Sequence, residues 1–313
     1  MFLVKLLLKK VWWAGPDLNR GPSACQAHIE LFSEKNSNQE IGALMESFYD
    51  FQVVDLRRAE RTAKEKVWYI HKFLRAIDKK PLEITREDVR GYLRSLNGVG
   101  TATYSNTLKS LKVFFRDFLQ KPKVVATFKF PQEPFKPKKI PTREDLQRFY
   151  ETIESIKQKA LFLVYASSGL RRNEVLRLMR ENVDFALRKI VPETKESETK
   201  HTWVSFFSRE AEVVLKEYLA KRKPSGSLRL FSMPSKEVHS LWRSAREKTS
   251  LQITPKVLRM WFCEEMAGLG VAGRYIDAFC GRTPKTVLAR HYSDYSPEKL
   301  KQIYEKANIK VLS

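Results

Sequence analysis

Cysteine is scarce in this chain. Its 313 residues contain three, Cys25, Cys263 and Cys280. The count is odd and the spacing is not that of a zinc site, which argues against a disulfide scaffold or a structural metal and for a reducing compartment. Long apolar runs are lacking as well. The opening MFLVKLLLKK is too short to span a bilayer and has no small-residue cleavage site. A cytoplasmic location is expected and no membrane partner. Acidic residues are the third shortfall: 36 Asp and Glu stand against 58 Lys and Arg, a formal net charge of +22 with a pI near 9.8. An excess of that size favours a polyanion, because each phosphate neutralised by Lys or Arg releases condensed counterions. Nucleic acid is therefore the expected partner.

What is present supports ordinary globular folding. Hydrophobic residues make up 42% of the chain and charged ones 30%, enough for a buried core, and the length allows two domains. From about residue 43 to 120 the pattern is helical with short breaks. ESFYDFQVVDLRRAERTAKEKVWYIHKFLRAI carries apolar residues at helical spacing with basic residues on the other face. TREDVRGYLRSL opens on Thr85 as an N-cap with Asp88 three residues on. After the turn NGVG, the stretch TATYSNTLKSLKVFFRDFL predicts another amphipathic helix.

Prolines 122, 131, 134, 137 and 141, interleaved with lysines, predict an extended and fairly stiff linker over 121–141. From residue 142 to 313 the chain reads as mostly helical again. One island intervenes, where RKIVPE and HTWVSFF predict strands around a Lys/Glu/Thr turn. The fold class expected is mostly α with a small β-sheet.

Four separated stretches carry chemistry. In SSGLRRNEVLRLMR, Gly169 before a helix lets Arg171 project, with Glu174 one turn later. Lys195, with Lys200 behind it, lies in the turn between the two strands. In ITPKVLRMWF, Pro255 sits early in a helix and Lys256 and Arg259 share a face, an arrangement that repels unless an anion lies near. In FCGRTPKTVLARHYSDYSPEKL, Arg282 follows a glycine and Tyr292 comes ten residues later. Each alone reads as ordinary surface or packing.

Taken in order and spacing, Gly-Leu-Arg-x-x-Glu, hairpin lysine, x-x-Arg helix, Gly-Arg and tyrosine resemble the catalytic domain of the tyrosine recombinases, from about Thr142 to Tyr304. The preceding helical module is similar to that family's core-binding domain. Two positions depart from the family pattern. Lys256 stands where a histidine opens the His-x-x-Arg box, and Arg282 where histidine or tryptophan follows the glycine. Both features are similar to integrases of archaeal viruses and plasmids of the fusellovirus type.

The resemblance implies Arg171 and Arg259 as a clamp on a scissile phosphate, whose non-bridging oxygens match planar guanidinium forks. It implies Tyr292 as the nucleophile of a covalent 3′-phosphotyrosyl link and Lys195 as general acid for the leaving 5′ oxygen. Lys256 and Arg282 add charge, and Lys256 is the better candidate base, since arginine stays protonated. Tyr295 is the alternative nucleophile. No cofactor or metal ion is expected, and the partner implied is duplex DNA at attachment sites, bound by a homotetramer. The tail SPEKLKQIYEKANI reads as an amphipathic helix that packs either on a neighbouring protomer or on its own domain. A type IB topoisomerase-like enzyme and a non-catalytic basic DNA-binding protein are the competing readings.

The irregular segment 1–42 contains WWAGPDLNRGPS, which has neither helical nor strand period. Asp17-Leu18-Asn19-Arg20 can be encoded GAT TTG AAC CGG, whose first nine bases are the complement of a transfer RNA T-loop sequence. Codons for Gly15-Pro16 and Arg20-Gly21 can close a stem around it. The segment is thus a candidate translated attachment site, with a Pro/Gly-rich DNA-binding or disordered arm as the alternative.

Overall fold

The computed structural model describes residues 37–132, 137–192, 203–222, 227–233, 240–284 and 286–312. The segment around WWAGPDLNRGPS, and the hairpin lysines Lys195 and Lys200, lie outside these residues. The chain divides into two compact units, residues 1–136 and 137–313.

The described part of the first unit is helical from Ser37 on, so the helix begins inside the segment 1–42 that the sequence pattern reads as irregular. Helix α1 (Ser37–Asp50) runs into a π-helical turn at Phe51–Asp55, followed by α2 (Glu60–Ile77), α3 (Arg86–Ser95) and α4 (Thr101–Lys112). A second π-helical turn, Val113–Phe118, extends α4. Helix α2 buries Ala63, Ile70, Phe73 and Leu74, one stripe of a 3.6-residue period. Helix α3 starts at Thr85, whose hydroxyl accepts from the Asp88 amide while the Asp88 carboxylate accepts from the Thr85 amide. The core is aromatic: Phe48 meets Phe114 edge-on at 5.1 Å, and Phe73 meets Tyr92 edge-on at 4.9 Å. Val125, beyond the last helix, is buried in the same core.

The second unit is built around one helix. Helix α5 (Arg143–Glu151) is followed by α6 (Ile156–Ser168), whose residues Ala160 to Ser168 are all buried. A helix apolar all round belongs in a core, and here α8 (Arg209–Lys221) and α10 (Pro255–Gly268) pack against it. Between α7 (Arg172–Arg177) and α8 lies a three-stranded antiparallel sheet of β1 (Val183–Asp184), β2 (Lys189–Ile190) and β3 (Ser205–Phe206). Ile190 pairs with Val183 on one side and with Ser205 on the other. The sequence pattern anticipates β2 and β3 and misses β1, a two-residue strand too short to show alternation.

Helices α9 (Arg243–Thr249), α11 (Gly273–Phe279), α12 (Val287–His291) and α13 (Pro297–Ala307) complete the unit. The last helix packs on its own domain: Leu300 and Tyr304 are buried, and the Tyr304 hydroxyl donates to the Ser167 carbonyl at 2.7 Å. Beyond it, the amides of Val311 and Leu312 donate to the Glu210 carboxylate at 2.7 and 3.0 Å. Among the described residues no helix is long and apolar enough to cross a membrane.

Candidate active site

The site begins where α6 ends. The hydroxyls of Ser167 and Ser168 fold back onto the Leu163 and Val164 carbonyls, and Gly169 at φ +65° turns the chain out of the helix. A Cβ on Gly169 would lie 2.5 Å from the Phe262 ring and 3.1 Å from the Cys280 sulfur. Only glycine fits this corner. Two residues on, Arg171 is the N-cap of α7. Its amide donates to Glu174 Oε2 and its Nη1 to Glu174 Oε1, both at 2.7 Å. One carboxylate therefore caps the helix and orients the guanidinium. Arg171 Nη2 donates to the Gly281 carbonyl at 2.8 Å.

Arg259 arrives from α10 and hangs on the same turn. Its Nη1 donates to the Gly169 carbonyl at 2.6 Å and its Nη2 to the Cys280 carbonyl at 2.8 Å. Burial first of all, with repulsion from Arg171 and Arg282 behind it, draws its pKa below the ordinary arginine value. Arg282 pairs with Asp277 at 2.7 Å, and that hydrogen bond raises its pKa. Its Nη2 also lies 3.6 Å from the sulfur of Cys263, which is 3.5 Å from the sulfur of Cys280. Of this thiol pair, Cys263 is drawn below the usual thiol range, first by the hydrogen bond with Cys280 and then by the charges of Arg282 and Arg259.

Three guanidiniums thus converge on one turn, with the carboxylates of Glu174 and Asp277 beside them. Among the described residues, Arg171 and Arg259 each engage two of their five side-chain N–H donors, and the others can meet an anion. Clustered cations at partial burial repel one another, and a bound polyanion relieves that cost.

The structure brings Arg171, Glu174, Arg259 and Arg282 together. It does not bring Lys256 or Tyr292 into hydrogen-bond contact with them. Lys256 is exposed on the first turn of α10. Tyr292 ends α12, 76% exposed, and its hydroxyl has no hydrogen-bond partner among the described residues. Tyr295 is placed differently: its hydroxyl donates to the Ala289 carbonyl at 2.6 Å, and its ring stacks on Trp203 at 5.8 Å. Sequence reasoning missed Asp277, the Cys263–Cys280 contact and the carbonyls of Gly169, Cys280 and Gly281. Main-chain acceptors carry no sequence signal, and two cysteines 17 residues apart on different helices show no period.

The class, a DNA strand transferase of the tyrosine-recombinase type, is shown by comparison with known families and relatives. Residues 138–307, more than half the chain, match the family described as archaeal phage integrase, and residues 44–123 match the phage integrase N-terminal SAM-like domain. The chain belongs to the archaeal phage integrase family.

It is 24% identical over 204 residues to the tyrosine recombinase XerA of Saccharolobus solfataricus, covering 62% of this chain and 68% of that protein. It is 21% identical over 262 residues to XerA of Pyrococcus horikoshii, covering 80% of this chain and 89% of the other. Among solved structures, its fold is similar to a lambda integrase dimer bound to a COC′ core site, with TM-score 0.61 and 13% identity over 86% of this chain and 96% of that one. It is also similar to the Tn1549 transposon integrase in complex with circular intermediate DNA, with TM-score 0.60 and 15% identity over 83% and 98%. The protein is a site-specific recombinase, an enzyme that binds, breaks and rejoins DNA.

Proposed function

We propose that Tyr292 attacks the scissile phosphate while Arg171 and Arg259 hold its non-bridging oxygens. The phenolate oxygen forms a bond to phosphorus, the bond to the 5′ oxygen breaks, and Lys195 protonates that leaving oxygen. Two guanidinium forks offset the charge that builds on the phosphoryl oxygens in the transition state. Arg282 adds charge at the same turn, and Lys256 serves as the base that takes the phenol proton. Religation by a second 5′ hydroxyl reverses the step and releases Tyr292.

The observation that carries this reading is the meeting of Arg171 and Arg259 on the 280–281 turn beside Arg282, with an exposed phenol, unpartnered among the described residues, eleven residues after Gly281. Residues 43–120 are read as the core-binding module, 121–141 as the linker, whose first residues seat Val125 in that module's core, and 142–313 as the catalytic domain. The assembly on DNA is read as a homotetramer. The target is read as a transfer RNA gene, with the codons of residues 12–22 as its copy inside the coding sequence.

The test is covalent trapping. A nicked duplex copied from the gene's own codons 12–23 is incubated with the protein, and the mixture is denatured. A protein–DNA band is expected with the wild type and is expected to vanish in Tyr292→Phe. Two labelled duplexes give hybrid products with a recombinase and none with a topoisomerase-like enzyme. Equal behaviour of wild type and Tyr292→Phe sinks the nucleophile assignment.

A further inference from the structure

We propose that Tyr295 and Trp203 form an aromatic clamp that positions the nucleophile, an inference that rests on Tyr292 being that nucleophile. The helix that ends on Tyr292 is poorly anchored. It is five residues long, Ala289 is its buried residue, and Val287 and Leu288 are 69% and 57% exposed. Its hydrogen bonds among the described residues stay local. The Ala289 amide donates to Thr286 Oγ1, the Tyr292 amide to the Leu288 carbonyl, and the Ser293 hydroxyl to the same carbonyl. A single turn held only by its own bonds has no intrinsic stability.

Tyr295 supplies the missing attachment. Its hydroxyl donates to the Ala289 carbonyl at 2.6 Å, closing the segment 289–295 into a loop with Tyr292 at its middle. Its ring lies nearly parallel to Trp203, at 5.8 Å and 23°, and edge-on to Tyr275 at 6.0 Å. Trp203 in turn leads into β3, which is tied to the turn that receives Arg259. Two residues on, the Ser205 hydroxyl donates to the Ser168 carbonyl at 2.5 Å, next to the Gly169 carbonyl that receives Arg259. A short path of contacts therefore runs from the phenol's helix to the guanidinium cluster, and its joint is a ring stack that can slide without breaking a covalent or ionic bond.

The Tyr295 hydroxyl is already engaged with a carbonyl, which suits a holder and not an attacking group. Tyr295 acts through Tyr292 and touches no reacting atom in this assignment. Misplacing an attacking group by about 1 Å costs on the order of a hundredfold in rate, so a clamp of this kind reads out in rate and leaves DNA affinity alone.

The experiment measures single-turnover adduct formation on the nicked duplex, alongside the Kd for the intact duplex. Tyr295→Phe, which keeps the stack and loses the hydroxyl bond, is expected to slow adduct formation about tenfold. Trp203→Ala is expected to slow it about a hundredfold, and Trp203→Phe to restore most of the rate. All three are expected to bind DNA as wild type does. Wild-type rates in Tyr295→Phe and Trp203→Ala overturn the clamp, as does a loss of affinity that parallels the loss of rate. Peptide mapping of the adduct separates the two readings. A phosphotyrosyl at Tyr295, or an adduct surviving in Tyr292→Phe, removes the nucleophile assignment itself, whereas an adduct at Tyr292 with unaltered rates removes only the clamp.

Discussion

Gly169 concentrates much of the site's construction in one hydrogen atom. Its φ of +65° and the 2.5 Å approach of Phe262 leave no room for a methyl group, while its carbonyl holds Arg259. Gly169→Ala is expected to cost about 2 kcal/mol or more of stability, through left-handed strain and overpacking together. Adduct formation is expected to fall further than stability accounts for, because the Arg259 acceptor moves with the backbone. A thermal melt and a trapping assay on the same preparation check both. The arginines and the Gly-Leu-Arg-x-x-Glu series were legible in the sequence because their side chains and spacing are distinctive. What the guanidiniums hang on was not legible, since a carbonyl is present at every residue. The family spacing favours Tyr292 over Tyr295, three residues apart in one segment, but what surrounds each phenol is seen only in the structure, where the two differ sharply.

At the scale of elements, caps and punctuation decided most of the boundaries. Thr85 and Asp88 form the reciprocal cap that their spacing announces, and Thr142 and Asp145 form a second one at the start of α5. Thr85→Ala is expected to cost about 1 kcal/mol, read by chemical denaturation. A pH dependence accompanies this cap. The hydrogen bond from Lys79, together with those from Thr85, holds the Asp88 carboxyl down to about 2. The unfolded chain therefore takes up this proton before the folded one does. The stabilisation is complete above about pH 4, the ordinary carboxylate range, and is lost as pH falls toward 2. Asp88→Asn should flatten that part of the acid denaturation curve, measured by circular dichroism. The helices were readable because their apolar stripes repeat over three or more turns. Strand β1 and helix α12 were not, because two and five residues cannot display a period.

For the molecule as a whole, the net charge of +22 is spread over two units. In the helical unit, Lys66 is half-buried near Arg58 and Lys109, and burial, then repulsion from those two cations, lowers its pKa to about 8. The folded state resists this proton, so the unfolded chain binds more protons between pH 8 and the ordinary lysine value, and stability rises with pH across that window. Lys66→Gln is expected to raise Tm near neutral pH, with the gain fading as pH climbs through the window. It is also expected to weaken DNA binding and to reduce the slope of log K against log salt by about one. Calorimetry and a salt titration of binding measure the two halves of that trade. A protein more stable without a cation and less able to bind DNA keeps that cation for its ligand.

The three clustered arginines, Arg171, Arg259 and Arg282, hang on the carbonyls of Gly169, Cys280 and Gly281 and on two neighbouring carboxylates. Peptide oxygens survive any substitution that leaves the chain's path intact. A lineage can therefore exchange most of its side chains while its anion seat stays furnished, and the scarce, heritable information lies in the turn's shape. Divergence in such enzymes is bounded by geometry before it is bounded by composition.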